Sequence, residues 1–568
     1  MKRLTLIVFI GMLHVHLFGA SLSLDTISTY IQKGVQTRIP EPNKSIVENI
    51  YRQANYHPLW IGNQNKSKVS HLIEALNDPL FNYKNKSFDQ NGIKSFFFAI
   101  DNGEIPAEKL SEAYAMIDLA LTNSMVRLVR FIVQGDVDWE LVKTKLQSLQ
   151  ASHQIVSKWE ISVKPFPPQE LLMNAIENDT IYDYLTSLLP MEKRYRSLIN
   201  ILSDYRMMDK FPKIEYYEEL LQPGDSSSRV EEIKKRLQII GDYPKSAPID
   251  KHFDEQLRQA ILTYQRRYLI EESGIVDATT TYYLNQPVKT NIQAIITNLD
   301  KTKLYPKNFE NEYVEVNVPD FHLRYYKNDQ LVMKKGLVVG RLERPTPLFS
   351  DTLRYMVLNP TWTVTDNLIK KDLIPVLKEK PNYLKENNIH VFQGNKEIEV
   401  NYAMLARYEK SSGAVPFNFV QYPGENNALG RIKFMFPNKY SVYIHDTDNK
   451  SLLSRRYKIY SSGCMRVENP FDLARLLLQH TSRRYSQNEI DAILATNQPT
   501  TIMLRDPVPV HILYFTVYEE NGLVYFKNDI YLYDQMIEES VEGNRKRSFT
   551  VPENRMVSVQ KEGPPPAH

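Results

Sequence analysis

The pattern of hydrophobic and polar positions divides the chain into a helical first part and a β-rich last part. Apolar residues recur every three to four positions across residues 45–217, most clearly at 117–133 and 198–208, which is typical of amphipathic helices. Alternating or β-rich stretches follow at residues 313–318, 331–339, 355–358 and 440–444. The pattern therefore predicts a multidomain α+β chain in which a helical scaffold precedes a mainly β domain.

Turn signals between these parts predict a small domain of three short helices. The turn at residues 221–225 precedes Ser228, a predicted N-cap for a helix over residues 230–240. A second helix is predicted over residues 253–268, and a short third segment ends at Leu284. The first predicted unit is a scaffold over residues 22–217, with Trp60, Trp139 and Trp159 in its core. The small domain follows over 218–290, and the mainly β domain, with an insertion at about 366–427, covers 291–544. We expect a disordered tail over 545–568.

The amino terminus has the order of segments that is typical of a secretory signal peptide. Lys2 and Arg3 precede an apolar run over residues 4–18, and small residues follow at 19–21. The run is shorter than the roughly 20 residues that a membrane-spanning helix needs. We therefore expect a signal peptide over residues 1–21, a periplasmic protein, and membrane contact only through an uncleaved signal segment.

Composition excludes several classes of protein. With 42% hydrophobic and 24% charged residues, the 568-residue chain is globular, and its net charge of +3 gives no reason to expect a nucleic-acid partner. The histidines outside the signal segment form no HxxxH or HxH pair, so we expect no metal and no cofactor. Cys464 is the single cysteine, which excludes an intramolecular disulfide and leaves one thiol that is either inert or reactive.

The surroundings of Cys464 favour a reactive thiol. Tyr443 and His445 alternate with apolar neighbours along a predicted strand, so both lie on one face. An imidazole next to the thiol accepts its proton, and a glycine at 463 allows close approach of a substrate, with the amides of Cys464 and Gly463 as the predicted oxyanion hole. Helix signals follow, with Asn469 as the predicted N-cap.

These residues resemble the catalytic core of L,D-transpeptidases, the YkuD-type cysteine enzymes that cross-link peptidoglycan. Their signature has a histidine, a gap of fourteen to seventeen residues, and then Ser/Thr, a variable residue, Gly, Cys, any residue and Arg or Asn. Here 15 residues separate His445 from the sequence Ser-Ser-Gly-Cys-Met-Arg at 461–466. The stretches at 338–347, 358–362 and 427–438 extend the resemblance to the large YcbB-like branch of Gram-negative bacteria, and residues 221–284 resemble its peptidoglycan-binding module.

The resemblance implies a reaction and roles for individual residues. Cys464 attacks the carbonyl after the third residue of a tetrapeptide donor stem, and His445 serves as general base and acid while a second stem resolves the thioester as a 3-3 cross-link. Asp446, where many members have glycine, orients His445 through its backbone carbonyl. Arg466 binds a stem carboxylate or forms a structural ion pair, Ser461 and Ser462 shape the turn, and Tyr443 and Trp362 line the donor channel.

The motif does not separate this reaction from two others that use the same nucleophile with a different acceptor. Water in place of the second stem gives an L,D-carboxypeptidase, and a protein acceptor gives attachment of that protein to peptidoglycan. A noncatalytic wall-binding scaffold needs neither Cys464 nor His445 and is disfavoured. The resemblance also implies carbapenems as covalent inhibitors, and we expect Cys464 to react with thiol reagents faster than a free model thiol.

Overall fold

A computed structural model describes residues 23–541, except residues 62–65, 154, 209–213, 215–219, 269 and 286–287. The predicted signal peptide and tail lie outside the described residues. The helices are α1 (Leu24–Arg38), α2 (Lys44–Gln53), α3 (Lys66–Asn77), α4 (Gln90–Asp101), α5 (Leu110–Val133), α6 (Trp139–His153), α7 (Gln169–Glu177), α8 (Ile181–Ser187), α9 (Glu192–Met208), α10 (Ser228–Ile239), α11 (Glu255–Arg267), α12 (Ala278–Leu284), α13 (Val288–Thr302), α14 (Asp366–Leu368), α15 (Ile374–Glu379), α16 (Tyr383–Glu386), α17 (Tyr402–Leu405), α18 (Pro470–Leu477), α19 (Gln487–Ala495) and α20 (Tyr533–Glu538).

Fifteen strands lie among the described residues. They are β1 (Glu312–Asn317), β2 (His322–Lys327), β3 (Gln330–Gly340), β4 (Ser350–Leu358), β5 (Trp362–Thr363), β6 (Ile389–Gln393), β7 (Lys396–Ile398), β8 (Asn418–Gln421), β9 (Ile432–Met435), β10 (Ile444–His445), β11 (Ile459–Ser461), β12 (Met465–Val467), β13 (Thr500–Leu513), β14 (Val517–Glu520) and β15 (Leu523–Phe526). The helical scaffold, the small helical domain and the mainly β domain confirm the predicted fold class.

The main sheet closes on itself. Its order is β11-β3-β12-β10-β9-β4-β13-β1-β2, and β2 also pairs with β3, so eight strands form a closed ring with β11 added at β3. Closure removes the exposed edges of the ring. The interior is filled by apolar side chains, including Val316, Leu337, Phe434, Ile444 and Met465, all buried. The closed ring thus gives the candidate site a rigid base.

Two of the three scaffold tryptophans belong to a different core from the one predicted. Trp60 is buried among the scaffold helices. Trp139 and Trp159 instead pack against the core of the β domain, where Trp159 bridges to Leu348 and stacks on Tyr533 with ring centroids 5.3 Å apart. The predicted placement was wrong because helical spacing shows that a helix has an apolar face and does not show which domain covers that face.

The small domain has the three predicted helices, and its core is continuous with that of the scaffold. The first helix is capped by Ser227 and not by Ser228, since the Ser227 side chain accepts the Arg229 N–H. Gly274, at φ +70°, supplies the turn before α12. Arg267 of this domain bonds to the Val524 carbonyl of β15, and Tyr268 stacks on Phe526. The module is therefore joined to both of its neighbours.

The insertion is a body with its own core and its own sheet. Residues 366–379 form one continuous helix with a π-helical turn at Ile369–Leu373, followed by further short helices. The sheet, in the order β5-β8-β6-β7, was not predicted. Apolar side chains between helix and sheet, such as Ile374, Leu405 and Phe419, form a separate buried cluster. The insertion is thus a folded cap and not a long loop.

Candidate active site

Three neighbouring strands place the candidate catalytic residues on the outer face of the ring. His445 of β10 pairs with Lys433 of β9 and with Arg466 of β12. Residues paired across a sheet share a face, so these three side chains lie together, opposite the buried Ile444 and its partners. The predicted strand over residues 440–444 was too long, because β10 spans only Ile444–His445. Burial of Ile444 therefore presents His445 outward.

Cys464 lies immediately before β12 and beside Tyr443. The Met465 N–H donates to the Tyr443 carbonyl at 3.1 Å, which continues the strand pairing by one residue. Cys464 then shares the face of Arg466, two residues further on, and Tyr443 shares the face of His445. The half-buried thiol thus lies on the His445 face, one strand away.

Ser461 closes the turn that carries the thiol. Its Oγ donates to the Cys464 carbonyl at 2.5 Å and accepts the Gly463 N–H at 3.1 Å. Gly463 has φ +116°, a conformation that a residue with a side chain adopts only with strain. The predicted oxyanion-hole role of Gly463 meets a difficulty here, because its amide is already engaged by Ser461. Among the described residues, the amide of Cys464 has no such partner.

Burial keeps both reacting groups neutral in the resting structure. It raises the pKa of the Cys464 thiol to about 11, although a backbone hydrogen bond from Tyr443 and the charges of Arg466 and Lys433 act the other way. Burial, aided by Arg466, lowers the pKa of His445 to about 3. A thiol with a raised pKa has less thiolate at neutral pH, which opposes the expected fast reaction with thiol reagents. The imidazole is unprotonated at neutral pH, although the same low pKa makes it a weak base towards this thiol.

Asp446 contacts His445 through its backbone and anchors a neighbouring loop through its side chain. The backbone of Asp446 raises the pKa of His445, as a carbonyl that accepts from the ring does. Nδ1 of His445 is nevertheless buried and has no partner within hydrogen-bond distance. The Asp446 carboxylate accepts the Arg431 N–H at 2.9 Å. A Cβ at Gly430 would lie 2.3 Å from that carboxylate, so the side chain of Asp446 occupies space that only glycine leaves open.

Two cations on this face have no carboxylate partner among the described residues. Arg466 is largely buried, and its Nε lacks a hydrogen-bond partner. Lys433 Nζ lies 3.5 Å from the Thr361 carbonyl oxygen and 5.6 Å from the centre of the Tyr443 ring. Burial lowers the pKa of each cation. The Asp448 carboxylate, which forms no salt bridge with Arg466, raises the pKa of Arg466, and the Cys464 sulfur raises the pKa of both. Sequence reasoning gave Lys433 no role, although it lies in the stretch at 427–438 that carries the resemblance; its register with His445 places it on this face.

The two predicted aromatic channel residues lie in different surroundings. The Tyr443 ring is 5.6 Å from that of His445, on the catalytic face. Trp362 lies just before the insertion, where β5 pairs with β8, and it packs half-buried against the core of the insertion. The role of both residues in a substrate channel stays a prediction.

No group of histidine, cysteine and acidic side chains suited to a metal ion occurs in the described part of the chain. None of the helices described has the length and apolar character that a membrane crossing requires.

Comparison with known families matches three segments of the chain. Residues 311–510 match the L,D-transpeptidase catalytic domain known as YkuD, residues 45–202 match a scaffold domain, and residues 226–284 match a peptidoglycan-binding domain. The catalytic match contains His445 and Cys464. It ends within β13, so the last described strands and α20 lie beyond it.

A Haemophilus influenzae protein named "Putative L,D-transpeptidase" is 33% identical over 245 residues, which are 43% of this chain and 49% of that protein. The chain therefore spans about half the length of this curated relative. Two crystal structures of L,D-transpeptidases are also similar. The one from Xylanimonas cellulosilytica is 13% identical, and the similarity covers 53% of this chain and 100% of that one. The one from Stackebrandtia nassauensis is 10% identical, and the similarity covers 53% of this chain and 96% of that one.

Their TM-scores of 0.17 and 0.18 carry no structural argument, so the assignment rests on the family matches and the curated relative. Together these show that the chain carries an L,D-transpeptidase catalytic domain of the YkuD family alongside a peptidoglycan-binding domain.

Proposed function

We propose that the protein is a peptidoglycan L,D-transpeptidase in which Cys464 is the nucleophile and His445 the general base. The observation that carries the proposal is the common face of β9, β10 and β12, which holds a thiol, a neutral imidazole and two cations without carboxylate partners. A donor stem with a terminal carboxylate supplies the negative charge that this face lacks.

The first half-reaction forms a thioester. Cys464 Sγ attacks the carbonyl carbon between the third residue and the terminal D-alanine of a tetrapeptide stem, and His445 takes the thiol proton. The amide of Cys464 donates to the oxyanion that forms. The peptide C–N bond then breaks, and His445 passes the proton to the departing D-alanine amine. Because both groups start neutral, proton transfer accompanies attack and does not precede it.

The second half-reaction joins two stems. The side-chain amine of the diamino acid in an acceptor stem attacks the thioester carbonyl, and His445 accepts a proton from this amine. The C–S bond breaks, and the sulfur regains a proton from His445. The product is a 3-3 cross-link. A periplasmic location follows from this substrate, and the domain at residues 226–284 supplies a contact with peptidoglycan.

Wild-type protein and the Cys464→Ala variant, incubated with tetrapeptide muropeptides and separately with a carbapenem, test the proposal by mass spectrometry. We expect 3-3 dimers, and a covalent carbapenem adduct in wild type that is absent from the variant. His445→Gln is expected to slow adduct formation by about a hundredfold or more.

His480→Gln is the matched control, since His480 contacts Glu312 and Tyr325 on strands that are not neighbours of β10. Free tripeptides without dimers would show an L,D-carboxypeptidase. Products that persist in Cys464→Ala would overturn the assignment of the nucleophile.

A further inference from the structure

Arg344 links the turn that carries Cys464 to the insertion, which we call the cap and define as residues 366–427. Its guanidinium Nη1 donates to Ser462 Oγ at 2.9 Å and to Asp372 Oδ2 at 2.6 Å, while Nη2 donates to Asp372 Oδ1 at 3.0 Å. The side chain of Arg344 is 13% exposed. One planar group thus holds both a residue of the nucleophile turn and a carboxylate of the cap.

The loop that carries Arg344 is fixed to the ring. The Gly340 N–H donates to Thr346 Oγ1 at 2.9 Å, and the Tyr531 hydroxyl donates to the Gly340 carbonyl at 2.6 Å and accepts the Thr346 N–H at 3.1 Å. A Cβ at Gly340 would lie 2.3 Å from the Arg344 carbonyl oxygen, so the loop folds tightly back on the end of β3. Arg344 therefore reaches the cap from a rigid base.

The nucleophile turn is held from both sides. Ser461 bonds to the Gly463 amide and the Cys464 carbonyl within the turn, while Ser462, one residue further on, bonds outward to Arg344. Gly463 has no side chain to restrict the backbone between these two serines and the thiol. Removal of the outward bond leaves the turn supported by the Ser461 side chain within it and by Arg341, which donates to the Ser461 and Tyr460 carbonyls at its start.

Asp372 lies on the part of the cap where regular helix is interrupted. It belongs to the π-helical turn Ile369–Leu373, between α14 and α15. The cap has a separate core, and its strand β8 pairs with β5, which directly precedes the cap. Because its packing is independent, the cap needs a polar contact to fix its position over the turn, and the Arg344–Asp372 pair supplies one.

We propose that Arg344 is a positioning residue for the reaction at Cys464, coupling the seating of the cap on Asp372 to the geometry of the nucleophile turn through Ser462. The inference rests on the proposed role of Cys464 as nucleophile. With the cap in place, Arg344 is held by Asp372 and donates to Ser462, which orders the turn. When the cap is displaced, the guanidinium loses Asp372 and the turn becomes less ordered. The chemistry at sulfur is unchanged, and Arg344 touches no reacting atom.

The test is the rate of Cys464 acylation by a carbapenem, followed by intact-protein mass. In this step the thiol adds to the lactam carbonyl, the C–N bond opens, and the nitrogen takes the proton. We expect Arg344→Ala, Asp372→Asn and Ser462→Ala each to slow acylation, the first by about tenfold or more. The double variant Arg344→Ala/Asp372→Asn is expected to lose little beyond the Arg344→Ala loss, since the two residues act as one contact.

Lys370→Met is the matched control. Lys370 belongs to the same π-helical turn, but it pairs with Asp366 inside the cap and does not reach the ring. Its acylation rate is expected to equal that of wild type. Hydrogen exchange at the amides of residues 461–464 is expected to rise in Asp372→Asn, although Asp372 does not contact them.

Wild-type rates with normal exchange in Asp372→Asn would overturn the proposal, even if Arg344→Ala fails to fold. Additive losses in the double variant would also overturn it. Failure of the proposed function gives a different result, because wild-type protein itself then forms no adduct on Cys464.

Discussion

Buried cations occur in two regions of the molecule with opposite surroundings. Two buried cations near the contacts between domains each have a carboxylate: Arg267 bonds to Asp242, and Lys301 lies 2.6 Å from Asp534. On the catalytic face, Lys433 and Arg466 have none among the described residues. Asp448 raises the pKa of Arg466, while nearby Arg341 lowers it.

The difference distinguishes charges that stabilise the fold from charges that bind a ligand. A paired buried charge becomes costly when its partner is removed, because the remaining charge has no compensation. A half-buried cation without an ion pair carries part of that cost, which a negatively charged ligand would offset. The catalytic face therefore has the electrostatics of a site for anionic substrates.

Loss of a paired cation is expected to give the largest effect. Arg267→Met leaves the Asp242 carboxylate buried, with exposure close to zero on its side chain. We expect the free energy of unfolding to fall by about 3–5 kcal/mol, measured by denaturant titration. Arg267→Met/Asp242→Leu is the control and should recover most of the loss. Equal instability of the single and double variants would refute the interpretation of this junction.

Loss of Arg466 is expected to impair activity and leave stability unchanged. Arg466→Gln removes an unpaired charge, so unfolding should not become easier. Without its charged hydrogen bond to the stem, kcat/KM for the tetrapeptide donor should fall by roughly thirtyfold, or about 2 kcal/mol. Steady-state kinetics and denaturant titration on the same preparation measure both quantities. A clear loss of stability with normal kinetics would place Arg466 with the junction charges.

Loss of Lys433 is expected to give the smallest effect, seen in the dependence of thiol reactivity on pH. Lys433 lowers the pKa of both Cys464 and His445, so Lys433→Met should raise both. Alkylation of Cys464 by iodoacetamide at pH 8 should slow by less than about tenfold, and the acid limb of acylation should move to higher pH. Lys433→Arg keeps the charge and should stay near wild type. Unshifted profiles in Lys433→Met would show that its ammonium does not act on the pair.

Local signals in the sequence predicted much of this architecture. Helical spacing identified the scaffold, and turn residues located the small domain to within one residue at Ser227. The motif spacing paired His445 with Cys464, and the register of β10 on β12 puts both on one face. These features depend on neighbours that are close along the chain or on a known motif.

Features that depend on contacts between distant segments were missed. Trp139 and Trp159 have the pattern of scaffold residues, yet Trp159 bridges to Leu348, which lies 189 residues later in the chain. Lys433 becomes a site residue only through its register with His445, and Arg344 through a loop that meets the cap. Both residues lie in stretches that carry the family resemblance, at 427–438 and 338–347, but nothing in those stretches singles out either side chain for a role.

The scaffold and the small domain share one continuous core, and Arg267 bonds this core to β15. This arrangement bears on the distance between the small domain and the catalytic ring. A module on a free tether would let its enzyme search a wide volume, whereas a module built into one body with the catalytic ring keeps a set separation. A glycan strand held at residues 226–284 would meet Cys464 at one fixed offset. The distance between the small domain and Cys464 would then determine which stems along the wall reach the thiol.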